Sequence, residues 1–303
     1  MESINVDQLS GSVLENMNSQ LSKKMNGDCV FINAPMFPPL DDQFRVVVEE
    51  LKDERRQEDQ DWQQDQLVVV LQTTGGLMET VERLVAVMRN HYERVSFIIP
   101  NFAYSAGTVL ALSGDKIYMD YYSVLGPIDP QYRAADGQYL PGHGVVEKYN
   151  ELVDIINKAS NPEQCRAELS YLIKNFDPAQ MFQIEQAIQH GITLITEWLP
   201  KYKFKDWDLT EKTGKKVTDR MKKDRAKEIA QTLGNASKWH SHGRGIPLNR
   251  LIGDEVKLII DDFGKDNDLS RLIRNYHGLA IDYFSKMGCN SYVHSRSGVR
   301  RLV

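Results

Sequence analysis

The sequence predicts an α/β fold: a parallel sheet built from repeated βαβ turns, with a mostly helical C-terminal region. Three observations predict it. Short valine-rich runs stop abruptly at Gly or Pro, as strands buried on both faces do. Between them, apolar residues recur at i, i+3, i+4 and i+7, the spacing of one helix face. Strand, helix, strand, helix and strand then fit within about fifty residues, which requires right-handed crossovers over a parallel sheet.

The elements follow in order. Residues 1–27 read as an N-terminal arm with one short helix, and CVFINAP, residues 29–35, as a buried strand. Residues 41–55 carry a helix, and the polar ERRQEDQDWQQDQ, residues 54–66, is a solvated helix end or a loop. Leu67 to Leu71 form a strand closed by Gly75-Gly76. Val81, Leu84, Val85 and Met88 mark a helix face, and Val95 to Ile99 form the next strand. Val109, Leu110 and Leu112 lie in a helix, and KIYM, residues 116–119, is a strand.

From residue 145 onward the pattern turns helical. Val145, Tyr149, Leu152 and Ile156 fit one helix. Cys165, Leu169, Leu172 and Ile173 fit a second, with Pro162 near its start. Met181, Ile184, Ile188 and Ile195 fit a third, interrupted at His190-Gly191. A basic helix over 217–233 stops at Gly234. VKLII, residues 256–260, reads as a short strand, and a last helix lies around 267–286. The expected organisation is an N-terminal arm (1–27), a core (28–200) and a helical C-terminal extension (201–303).

A chain of 303 residues buries a large core and sits near the length where a second unit appears. Its 41% hydrophobic and 26% charged residues are ordinary for a globular protein, and a formal charge of -5 gives no reason to expect nucleic acid. The three cysteines, Cys29, Cys165 and Cys289, are far apart and lack metal spacing, as expected of buried thiols in a reducing compartment. No apolar stretch approaches the ~20 residues that span a bilayer. The N-terminus, MESINVDQLSGSVLENMNSQ, lacks the basic start and apolar middle of a secretion signal. A cytoplasmic protein is expected. No Gly-x-x-x-x-Gly-Lys or other cofactor motif stands out, so no cofactor and no ATP use of its own are expected.

Chemistry gathers where strands become helices. Ser105, within AYSAG, stands at such a junction, at the C-terminal edge of the sheet where ligands of open α/β sheets bind. The first N–H groups of the next helix have no internal partner and carry partial positive charge. Ser105 is therefore a candidate nucleophile; its other reading is a helix N-cap. QTTGG, residues 72–76, ends the neighbouring strand in the same way. Two loops would each supply one donor to an oxyanion, Gly76 N–H and Ala106 N–H. A third loop, YYSVLGPIDPQ at 121–131, is stiffened by Gly-Pro and Asp-Pro; Asp129 orders a base, binds substrate backbone, or only forms a turn.

Thr73-Thr74-Gly75-Gly76, Ala103-Tyr104-Ser105-Ala106-Gly107-Thr108 and Leu125-Gly126-Pro127-Ile128-Asp129-Pro130-Gln131 follow one another in an order that resembles the Clp protease/crotonase superfamily. Within it the match is to the serine dehydrogenase proteinase family, relatives of the Clp proteolytic subunit and of signal peptide peptidase A. The resemblance is strong over about 65–132 and returns in WHSHGRGIP, residues 239–247. It implies a crotonase-like (Clp protease-like) fold and a serine peptidase with Ser105 as nucleophile and Gly76 and Ala106 as oxyanion donors. It also implies a peptide or protein substrate and a homo-oligomer. Two departures stand out: Thr74 replaces the family's usual proline before Gly-Gly, and the membrane segments frequent in the family are missing.

A serine hydroxyl needs a proton acceptor. The Clp subunit's histidine comes from the third loop, but here no histidine lies between His91 and His143. The family's Ser, Asp, His order is met by Ser105, Asp129 and His242. A lysine base, as in signal peptide peptidase A relatives, is met by Lys148 if it turns inward with Val145, Tyr149 and Leu152. His143 is a third candidate. Two rivals stay open: an α/β-hydrolase esterase, whose elbow motif AYSAG approaches, and a non-catalytic crotonase-like scaffold.

Overall fold

The computed structural model describes residues 6–58, 65–128, 131–133, 139–210, 213–239 and 244–302. The first half of the chain runs α1 (Val6–Met25), β1 (Asp28–Asn33), α2 (Leu40–Glu58), β2 (Gln66–Gln72), α3 (Met78–His91), β3 (Arg94–Ile98), β4 (Phe102–Ala103), α4 (Ala106–Leu112), β5 (Lys116–Met119) and β6 (Val124–Leu125). The second runs β7 (Gln131–Arg133), β8 (Tyr139–Pro141), α5 (Gly142–Lys158), α6 (Arg166–Asn175), α7 (Pro178–Lys201), α8 (Asp219–Gly234), α9 (Ala236–Trp239), β9 (Ile246–Pro247), α10 (Leu248–Ile252), β10 (Asp261–Asp262), α11 (Asn267–Lys286), β11 (Tyr292–Ser295) and β12 (Gly298–Arg301).

The main sheet has seven strands in the order β10-β5-β3-β2-β1-β11-β12. The run from β1 to β10 is parallel, as the crossovers require, while β11 adds antiparallel to β1 and β12 antiparallel to β11. The period of two along each strand sorts the core into two layers. Val30, Ile32, Leu67, Val69 and Leu71 face one layer with α2, α3, α4, α7 and α8. Cys29, Phe31, Val68 and Val70 face the other, covered by α1 and α11. A small second sheet, β4-β6-β9, lies at the C-terminal ends of the parallel strands and carries the backbone toward Ser105.

Three local expectations change. The N-terminal segment is a full twenty-residue helix, because Leu14, Asn18, Leu21 and Ser22 form a buried stripe in otherwise polar sequence. Residues 256–260 do not form a strand. Lys257 N–H bonds Gly253 O at 2.8 Å and Leu258 N–H bonds Leu251 O at 2.8 Å, so Val256 and Leu258 are buried from a turn, and pairing with β5 begins at Asp261. His190-Gly191 does not interrupt α7. A Cβ at Gly191 would lie 3.7 Å from Met78 Cε, an ordinary contact, so α7 runs unbroken past the start of α3.

Two histidines, the buried His294 and the half-buried His277, tie the outer layer to the sheet. Asn18 Nδ2 donates to Tyr276 Oη at 2.9 Å, which leaves that hydroxyl to donate to His294 Nδ1 at 2.6 Å. His277 Nε2 donates to Gln72 Oε1 at 2.8 Å. Burial pushes the His294 imidazole down to about 4. Burial, with Arg274 nearby, does the same to His277, also to about 4. Both are therefore neutral when folded and take up protons more readily when unfolded. Their contribution is complete above the ordinary value of about 6.5 and is lost as pH falls from there toward about 4. Urea unfolding at pH 7, 5.5 and 4.5 is expected to show stability falling by about 2 kcal/mol per histidine. His277→Gln should flatten that slope.

Candidate active site

The site forms where the ends of β2 and β3 are drawn together. Thr73 and Ala103 form a parallel bridge, with Thr73 N–H to Phe102 O at 3.2 Å and Tyr104 N–H to Thr73 O at 3.0 Å. The glycines make the approach closer than any side chain permits. A Cβ on Gly75 would stand 2.9 Å from Ser105 Cβ and 2.8 Å from Tyr104 O. On the other side of the loop, Met36 N–H bonds Gly75 O at 2.8 Å and Leu77 N–H bonds Met36 O at 2.8 Å. In that parallel bridge the neighbours of Gly76 serve Met36, so the N–H of Gly76 itself faces away from it. Among the described residues, neither Gly76 N–H nor Ala106 N–H donates a hydrogen bond within the chain. Two free amides thus border one serine.

Ser105 precedes α4 but does not cap it: its side chain makes no cap hydrogen bond. Its backbone sits at φ 51°, ψ -117°, a region unfavourable for any residue with a side chain. Such strain costs about 1–3 kcal/mol and persists only where neighbours hold it. Here the neighbours are visible. Gly107 N–H bonds Tyr104 O at 2.8 Å and Thr108 N–H bonds Ser105 O at 2.9 Å. The buried Thr108 hydroxyl reaches Ala103 O at 2.9 Å and Gly126 O at 2.8 Å, joining the second and third loops. Thr108→Val is expected to leave a buried carbonyl without its donor and cost about 1–3 kcal/mol, read as a lowered thermal midpoint.

Ser105 opens onto a cleft of about 800 Å³. Thr74, Gly75 and Gly76 form one wall, with Leu77, Met78 and Glu79 beside them. The facing wall is α7, through Phe182, Gln183, Gln186, Ala187 and His190. Phe37, Leu77 and Phe182 are exposed despite their size, which gives the cleft an apolar rim. In the sequence His190 marks only an interruption of the helical pattern. Its Nε2 lies 3.1 Å from Glu82 Oε2, across the gap between α7 and α3. Nothing local in the sequence signals that pair, since its members are joined only by the packing of two helices.

The other candidates fall elsewhere. Asp129 and His242 lie outside the described residues. Lys148 does not turn inward: its side chain is 58% exposed and its Nζ holds Glu151 Oε2 at 2.7 Å. The hydrogen bond it donates to Glu151, together with that carboxylate's charge, raises the lysine above its ordinary value, the wrong direction for a base. His143 belongs to the first turn of α5, not to a loop, and packs against Gly234. Burial lowers its pKa, but it does not line the Ser105 cleft. The three cysteines are free and buried, away from the cleft.

The sequence profile of the ClpP-like SDH-type serine proteinase family matches residues 48–158, which hold the Gly75-Gly76 loop, Ser105 and the third loop. Two uncharacterized proteins of Methanocaldococcus jannaschii are similar in part. MJ1495 is 37% identical over 97 residues, 30% of this chain and 33% of the relative. MJ0137 is 34% identical over 108 residues, 32% of this chain and 36% of the relative. The chain thus spans about a third of the length of the curated relatives it matches. Among solved structures, ClpP1 from Listeria monocytogenes aligns at 15% identity and TM-score 0.28, covering 35% of this chain and 58% of that one. The 1510-N membrane-bound stomatin-specific protease aligns at 15% identity and TM-score 0.31, covering 53% and 81%. The resemblance read from the three loops is borne out by the family match, and the fold is of the ClpP-like class. Among the described residues, no helix is long and apolar enough to cross a membrane.

Proposed function

We propose that this chain is a serine endopeptidase, with Ser105 as nucleophile and the N–H groups of Gly76 and Ala106 as its oxyanion site. Ser105 Oγ attacks a peptide carbonyl, the carbonyl electrons move onto oxygen, and the two amides hold that charge. Collapse expels the amine and leaves an acyl-enzyme, which water then hydrolyses. The observation that carries the reading is the convergence at Gly75. Its missing side chain lets the amide-bearing loop stand against a strained serine that caps nothing. The apolar rim of Phe37, Leu77 and Phe182 suits a peptide or protein substrate. The proton acceptor that the resemblance assigns, His242 ordered by Asp129, lies outside the described residues, and the reading of the other three groups does not depend on it. A cytoplasmic homo-oligomer that uses no ATP itself belongs to the same proposal.

Incubation of the full chain with a fluorophosphonate probe tests it. A single adduct mapped to Ser105 by peptide mass supports the assignment. Absence of labelling across a range of protein concentrations, or labelling retained by Ser105→Ala, overturns it.

A further inference from the structure

We infer that His190 is the proton acceptor for Ser105 and that Glu82 holds it in position, an inference that rests on the peptidase reading above. Among the described residues that line the cleft, His190 is the only imidazole. His143 packs beside Gly234, His277 bonds Gln72, and His294 is spent on Tyr276. The elements are also the right ones. Glu82 stands one turn into α3, the helix that follows the Gly76 loop. His190 stands on α7, which packs against α4, the helix that Ser105 opens. A residue of the Gly76 side, Met78, meets Gly191 directly beside His190.

The Glu82 contact fixes the tautomer. A carboxylate only accepts, so the neutral imidazole gives its Nε2 hydrogen to Glu82 Oε2 at 3.1 Å and keeps a lone pair on Nδ1. That is the state a base needs, with a third group orienting it and opposing the charge it gains. Acylation then balances. The Ser105 Oγ–C bond forms as the hydroxyl proton passes to Nδ1 across the cleft that both residues line. The C–N bond breaks as the same proton returns to the departing amine. In deacylation the attacking water gives its proton to Nδ1, and Ser105 recovers it when the ester C–O bond breaks. His190 is catalytic in this scheme, and Glu82 is a positioning residue.

The test compares the full-length wild type, Ser105→Ala, His190→Ala, His190→Gln, Glu82→Gln, Glu82→Asp and His242→Ala. Fluorophosphonate acylation rates and peptide turnover are read for each, with thermal midpoints alongside. His190→Ala is expected to lose about 10²–10⁴-fold in kcat with KM near wild type, and to recover in part when imidazole is added. Glu82→Gln should lose about tenfold, with Glu82→Asp between it and wild type. If the alanine variant unfolds, His190→Gln decides by the same rates. Wild-type acylation by the His190 variants overturns the inference while leaving Ser105 as nucleophile. A loss confined to His242→Ala does the same and assigns the base to that residue. No Ser105 adduct in the wild type sinks the peptidase reading itself, and this inference with it.

Discussion

Ser105→Ala is expected to drop peptide hydrolysis to the assay floor, on the scale of the 10⁶-fold loss seen when a serine nucleophile is removed. Its thermal midpoint should stay near that of the wild type. Ser105→Gly should be equally inactive yet more stable. The difference lies in the backbone. At φ 51°, ψ -117° a Cβ is the source of the strain, and alanine keeps it while glycine does not. Relief of a strain of about 1–3 kcal/mol should raise the midpoint of the glycine variant by several degrees, reduced somewhat by the extra freedom glycine gives the unfolded chain. Calorimetry of the three proteins reads this directly. A glycine variant no more stable than the alanine variant would mean that the serine costs the fold nothing.

Gly76→Ala is the second large effect. Gly76 sits at φ 152°, and a Cβ there would meet Met36 O at 2.5 Å and Met36 N at 2.9 Å. Those atoms are backbone in the stretch leading from β1, so they cannot swing aside. The loop must move, and the Gly76 N–H moves with it. Loss of one oxyanion donor costs ~10²–10³ in rate, and the clash should lower the midpoint as well. Gly191→Ala is the contrast. Its Cβ would find Met78 Cε at 3.7 Å, an ordinary contact, within a helix that alanine favours over glycine by about 1 kcal/mol. The expected outcome is a glycine-to-alanine change that cripples the protein in the loop and leaves its stability intact, or improved, in α7. Equal midpoints for the two variants would contradict it.

The parallel sheet was legible because its strands are buried on both faces and so appear as unbroken apolar runs; Leu67 to Leu71 are all 0% exposed. Ser105 and the Gly75-Gly76 loop were legible because turn chemistry is local. The features that were missed are those set by distant packing. Helix α1 hides its buried stripe of Leu14, Asn18, Leu21 and Ser22 in polar sequence. Gly191 looked like a break because its contact with Met78 comes from another helix. Val256 and Leu258 are apolar enough for a strand, yet the hydrogen bonds of residues 257 and 258 turn back to Gly253 and Leu251. The pairing of His190 with Glu82 joins residues far apart in the chain. Lys148 failed for a simpler reason: a small rotation of α5 separates an inward lysine from one paired with Glu151.

The place of β1 in the sheet bears on how the protein is made. This strand is synthesised well before β11, yet one of its edges is completed by that strand, with Phe31 opposite His294 and Ile32 opposite Val293. At about 5–20 residues per second, a ribosome leaves that edge open for many seconds while the intervening chain emerges. During that interval Phe31 and the sticky flank of α1 also lack α11, their main cover. The nascent protein therefore carries an unpaired strand edge until β11 emerges, which is the situation in which holding chaperones matter most.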